Sequence, residues 1–100
     1  MHAVFIELDI SGVTAEEGKK YLREQIAPIM QGLAGFRSGI WLNDNENVKA
    51  MSITIWDKLD QAEAMVAMFG PDSEQAGGSV HRCEINKVAA SAFAYFQPGT

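Results

Sequence analysis

Apolar and polar residues along this chain change their spacing four times, and each change marks the edge of an element. Residues 3–10 alternate Val4, Ile6, Leu8 and Ile10 against Phe5, Glu7 and Asp9. That period of two predicts a strand with one buried face. Ser11-Gly12-Val13 breaks it, and Thr14-Ala15-Glu16-Glu17 then reads as a capping box with Thr14 at the N-cap and Glu17 at the third helical position. Behind it Leu22, Ile26, Ile29, Met30 and Leu33 share one helical face, with Tyr21 beside them. Pro28 has no amide proton and its ring crowds the Glu24 carbonyl, so a kink or a fresh helical start is expected there. Gly32 and Gly35 end the helix.

Residues 36–42 and 48–56 are predicted strands. Asn43-Asp44-Asn45-Glu46-Asn47 between them holds only turn-formers, so the two strands should form a hairpin. Asp57 or Lys58 opens a second helix with Leu59, Ala62, Met65, Val66 and Phe69 on its apolar side, and Gly70-Pro71 stops it. Residues 70–79 form the one long polar loop, expected to be mobile, and residues 80–96 read as a last, long extended segment. The order is strand, helix, strand, strand, helix, strand. Two right-handed crossovers sharing a hairpin give an α+β, ferredoxin-like βαββαβ fold: a four-stranded antiparallel sheet with two helices on one face. One hundred residues fit a single domain spanning 1–100.

Helices cover one face of such a sheet. The other face should then be polar, and the sequence does not make it so. The predicted third strand alternates Met51, Ile53 and Ile55 with Ala50, Ser52, Thr54 and Trp56, and neither set suits water. The second alternates Phe36, Ser38, Ile40 and Leu42 with Arg37, Gly39 and Trp41. Two copies packed sheet to sheet would bury the surplus, so a homodimer is expected. The alternative is a C-terminal tail folded back over its own sheet.

Composition narrows the class. An apolar fraction of 47% suits a globular domain, so disorder is not expected. A net charge of −5 with scattered Lys and Arg excludes a basic stripe for nucleic acid or an anionic membrane. Cys83 is the single cysteine, so no intrachain disulfide forms. The start of the chain does not read as a signal peptide, and the longest uncharged run, residues 88–100, is too short to span a bilayer. A soluble, cytoplasmic protein is the expectation. An RNA-recognition module of the same topology would need stacking aromatics on strand three, where residues 49–56 offer Trp56 alone.

Gly35-Phe36-Arg37-Ser38-Gly39-Ile40-Trp41, the turn, and Ala50-Met51-Ser52-Ile53-Thr54-Ile55-Trp56-Asp57 resemble the antibiotic-biosynthesis monooxygenase family of dimeric α/β barrels. The shared features are Gly-Phe opening strand two and a strand three that ends in Trp before an acidic helix start. The resemblance implies a homodimer whose two sheets face each other, with the helices outside and one pocket per subunit between sheet and helices. Quinone-forming members oxidise polycyclic phenols with oxygen and need neither metal nor flavin. Their polar pocket residues include an Asn four positions before the strand-three Trp and a Tyr six positions after it; here Ser52 and Ala62 hold those places. Haem-degrading members place a Trp and a His near the positions of Met65 and Gln75, and the second helix has neither.

The same resemblance puts Ser38, Ser52, Thr54 and Trp56 on the helix-facing side, where small hydroxyls beside a Trp suit a small hydrophobic or aromatic ligand. The plainer alternative makes Trp56 a core plug flanked by ordinary strand residues. His81, between the loop and the last strand, is the candidate general base, its unperturbed pKa near 6.5 fitting proton abstraction from a phenol; otherwise it is a surface residue. A His81–Cys83 dyad is discounted, since strand residues two apart stand roughly 6.5–7 Å apart at Cα. No metal or cofactor site is expected: no His pair has ligand spacing and no glycine pattern follows a strand as a phosphate loop requires. Two functions stay open, a cofactor-independent monooxygenase-like protein and a non-catalytic small-molecule-binding or stress-associated homodimer.

Overall fold

The computed structural model of the chain describes residues 1–10, 12–44, 46, 48–71 and 80–92. Strands β1 (His2–Asp9), β2 (Phe36–Asp44), β3 (Lys49–Trp56) and β4 (Val80–Lys87) form one sheet in the order β2-β3-β1-β4. Every neighbouring pair is antiparallel. The fold is the expected α+β, ferredoxin-like one.

The first crossover is a helical arm of three pieces: α1 (Ala15–Tyr21), a π-helical turn (Leu22–Ile26) and α2 (Ala27–Gln31). Thr14 Oγ1 caps it, accepting from the Glu17 N–H at 3.1 Å. Pro28 is the second residue of α2, and the right-handed helical backbone runs through Ile26 and Ala27 into it. The wider turn comes just before it, with the Ala27 N–H reaching back five residues to the Leu22 carbonyl. The irregularity expected at Pro28 thus takes the form of a π-helical turn that ends just before it. Ile26 and Met30 are buried, but Ile29 is 44% exposed. Three residues on from Ile26 it stands about 60° off that direction, at the rim of the predicted face. The second crossover helix, α3 (Leu59–Phe69), buries Ala62 and Met65.

The core lies on this covered side. Val4 and Ile6 from β1 and Trp56 from β3 meet Ile26, Met30, Ala62 and Met65 from the helices. Which strand residues face inward follows from register. On β3 the inward set includes Ser52, Thr54 and Trp56, paired across β1 with Ile6, Val4 and His2. On β2 a bulge between Phe36 and Ser38 shifts the pairing, so Phe36 lies opposite Trp56 while Gly39, Trp41 and Asn43 lie opposite Thr54, Ser52 and Ala50. An extra residue in one strand reverses the alternation beyond it.

A cluster ties the start of β2 to the start of α3. Gly35 has φ +80°, a conformation that favours glycine, and it lies against the end of the Gln61 side chain. Its carbonyl accepts from the Asp57 N–H at 3.0 Å, Arg37 Nε donates to the Asp57 carboxylate, and the Lys58 N–H donates to Gln61 Oε1 at 3.0 Å. Phe36 packs edge-on against Trp56, with centroids 5.5 Å apart and planes at 71°.

One expectation shifts at the chain's end. β4 stops at Lys87, and residues 88–92 belong to no strand, although the Val88 N–H still donates to the Met1 carbonyl at 3.0 Å. Residues 93–96 of the expected long strand, and 72–79 of the expected mobile loop, lie outside the described residues. No helix among the described residues is long and apolar enough to cross a membrane.

Candidate functional site

Although α1 runs over the sheet, it contributes no buried residue. This first part of the arm stands away from the strands beneath it, while Ile26 and Met30 further along are buried in the core, and the space left is a cavity of about 470 Å³. Cores are packed so closely that voids larger than a water are few, and this volume falls in the range of small-molecule sites, roughly 300–1,000 Å³. Its walls are mostly apolar, with Leu22, Ile26 and Met30 from the arm, Trp41 and Ile6 from the sheet, and Met65 from α3. Four side chains bring polarity: Ser52 and Asn43 on the sheet, Glu17 and Tyr21 on α1.

The sheet floor is set by register. Ser52 pairs with Trp41, and Asn43 with Ala50, so a hydroxyl and an amide stand diagonally on adjacent strands on the same face. Ser52 is only 9% exposed. Trp41 lies back along its strand over Gly39, where a Cβ would come within 2.6 Å of Trp41 Cη2. Gly39 therefore makes room for the indole, and the indole forms one wall of the cavity.

Of the residues singled out from the sequence, Ser52 is the one that borders this space. Thr54 and Trp56 do face the helices, but below the cavity and spent on each other. Trp56 Nε1 donates to Thr54 Oγ1 at 2.9 Å, and both side chains are essentially sealed from solvent. Trp56 is buried among the core residues Val4, Met30 and Met65. Ser38 is placed on the opposite face: beyond the bulge it pairs with Ile55 and is exposed. His81 falls where the β1–β4 register shifts, half exposed, with Nε2 3.8 Å from Asp9 Oδ2, and it does not border the cavity. Ala62, in the place of the family's Tyr, is fully buried in the core.

Sequence reading passed over Asn43, Glu17 and Trp41 as site residues and took Tyr21 only as a neighbour of the helix face. Asn43 sat among turn-formers and Glu17 looked like a cap. Their common signal is spatial: they surround the gap between arm and sheet. Cys83 faces the covered side opposite Ile6, and partial burial, helped by nearby Glu84, pushes its thiol above the usual cysteine range.

These observations define a ferredoxin-like α+β domain with an apolar, hydroxyl- and amide-floored cavity between its first helical arm and its sheet. No family profile and no curated protein matches the sequence. In structure the chain is similar to a proposed antibiotic biosynthesis monooxygenase from Deinococcus radiodurans, with a TM-score of 0.62 and 19% sequence identity. The match covers 97% of this chain and 100% of that one. The shared fold agrees with the resemblance in residues 35–57.

Proposed function

We propose that this chain is a cytoplasmic homodimer that binds one small, largely apolar aromatic molecule per subunit. The cavity carries the reading. A space of about 470 Å³ walled by apolar side chains favours a ring system, and the Ser52–Asn43 floor supplies a donor and an acceptor for one oxygen on it. The dimer rests on the uncovered sheet face, where Ile40 is 58%, Leu42 45% and Ile53 36% exposed in the single chain, with Phe5, Met51 and Ile55 beside them. A second copy would shelter this patch as two facing sheets.

A catalytic version of the same site is the second reading, and one observation favours it. The amide and phenol that the family's pattern would put at Ser52 and Ala62 are present in the cavity from other positions, as Asn43 and Tyr21. With an electron-rich phenol bound there, the substrate itself would reduce oxygen: the ring C–H para to the hydroxyl becomes C=O as the phenol becomes a quinone, and the second oxygen atom leaves as water. The chain's part would be to hold the ring and stabilise the developing oxyanion with the Asn43 and Ser52 donors. His81 stays outside the site in this reading.

Titration of tryptophan fluorescence with mono- and dihydroxylated naphthalenes and anthracenes tests the binding reading, since Trp41 borders the cavity. Ser52→Ala and Asn43→Ala should each weaken binding about fivefold, the worth of one hydrogen bond of roughly 1 kcal/mol. Saturable quenching that neither substitution alters would refute the site. Oxygen uptake above buffer with the same compounds decides for the catalytic version.

A further inference from the structure

We propose that Glu17 makes the cavity selective for apolar ligands bearing a cationic amine and turns acids away; this rests on the reading of the cavity as a ligand site. The inference comes from the charges that line it. Among the described residues no Lys, Arg or His borders the space, and the ionisable side chains that do are Glu17 and Tyr21. Phosphate, sulfate or carboxylate on a ligand would shed water there without meeting a cation, which is unfavourable for any charged group. A protonated amine would meet a carboxylate.

Geometry fixes where that amine belongs. Glu17 sits in the first turn of α1, and its backbone N–H is held by the Thr14 cap at 3.1 Å, which anchors the residue at the rim of the cavity. Its side chain is exposed and borders the cavity, so it forms part of the mouth and not of the floor. Ser52 and Asn43 lie on the sheet at the opposite wall. A ligand spanning the two would carry its oxygen on one end, its ring system in the middle, and its amine at the α1 end. The whole chain reinforces the preference, with a net charge of −5 that attracts cations and repels anions at a distance.

A matched series sharing one ring separates charge from shape: 1-naphthylmethylamine, 1-naphthalenemethanol and 1-naphthoic acid, titrated at pH 7 by tryptophan quenching and by calorimetry. The amine should bind about threefold tighter than the alcohol, the scale of a partly exposed ion pair. The acid should bind at least about tenfold weaker than the alcohol. In Glu17→Gln the amine-to-alcohol ratio should fall to about one, and in Glu17→Lys the acid should overtake the amine. Salt at 1 M should shrink the parental ratio, because a charge at the mouth is screened.

An amine that binds no better than the alcohol, or a preference that survives in Glu17→Gln, overturns the role of Glu17 while alcohol binding still upholds the cavity. If none of the three binds the parent chain at millimolar concentration, the ligand-site reading and this inference fall together. Circular dichroism of each variant keeps a folding defect from passing as a loss of selectivity.

Discussion

Replacing Thr54 by Val tests whether Trp56 is a plug or part of a binding site. Val has nearly the shape of Thr, so the change removes one hydroxyl and little volume. That hydroxyl accepts from Trp56 Nε1 at 2.9 Å, and Trp56 is 1% exposed, so water cannot take over as acceptor. An orphaned buried donor costs about 1–3 kcal/mol. Taking about 2 kcal/mol, a domain of this size should melt roughly 8–16 °C lower. Trp56→Phe removes the donor but leaves a void, which adds a large penalty of its own. The double variant should then be more stable than the sum of the singles requires, by about 1 kcal/mol or more, because the introduced valine no longer faces an unpaired N–H. Urea unfolding followed by circular dichroism measures all four corners. The cavity should still take ligand in Thr54→Val, since Thr54 does not border it. A Thr54→Val variant within about 0.5 kcal/mol of the parent, or an additive double variant, would refute the plug.

Gly39→Ala places a methyl within 2.6 Å of Trp41 Cη2 and should push the indole into the cavity, weakening ligand binding by about tenfold with little loss of fold; unchanged affinity by fluorescence titration would contradict the proposed wall. Val48 has φ +54°, a left-handed conformation that penalises a β-branched residue, so Val48→Asn should raise stability by about 1 kcal/mol in urea unfolding. Ile40→Asp should turn a dimer into a folded monomer by light scattering, and a parent that already scatters as a monomer ends the facing-sheet picture. Cys83, whose thiol is pushed up first by burial and then by Glu84, should hold less thiolate than free cysteine at pH 8 and react more slowly with iodoacetamide, gaining only as the pH climbs above the ordinary cysteine range.

The fold was legible because its elements announce themselves locally. Val4, Ile6 and Leu8 alternate cleanly, Thr14 caps where the pattern changes period, and Pro28 marks where a π-helical turn gives way to α2. The residues that carry the family resemblance also proved to be structural. The Gly35 carbonyl accepts from the Asp57 N–H, Phe36 leans on Trp56, and Arg37 pairs with Asp57. Together they latch the hairpin to α3. A motif that fastens the fold announces the fold, and it says little about what the cavity beside it holds.

The candidate site was half hidden for a different reason. Counting by twos from Phe36 puts Ser38, Ile40 and Leu42 on its side of the sheet, and the bulge at Arg37 cancels that count. Past it, Gly39, Trp41 and Asn43 turn toward the helices, and Ser38 turns away. A single extra residue thus exchanges the two faces of a strand, and no periodicity computed across it can be right on both sides. β4 repeats the effect, since the shift opposite Glu7 and Leu8 carries His81 to Asp9 and away from the cavity. The arm hid the rest: Glu17 and Tyr21 look like a cap and a face neighbour until α1 is seen to stand off the sheet. Strand three pairs with β1 without a bulge, so there a count by twos back from Trp56 does lead to Ser52 on the cavity floor.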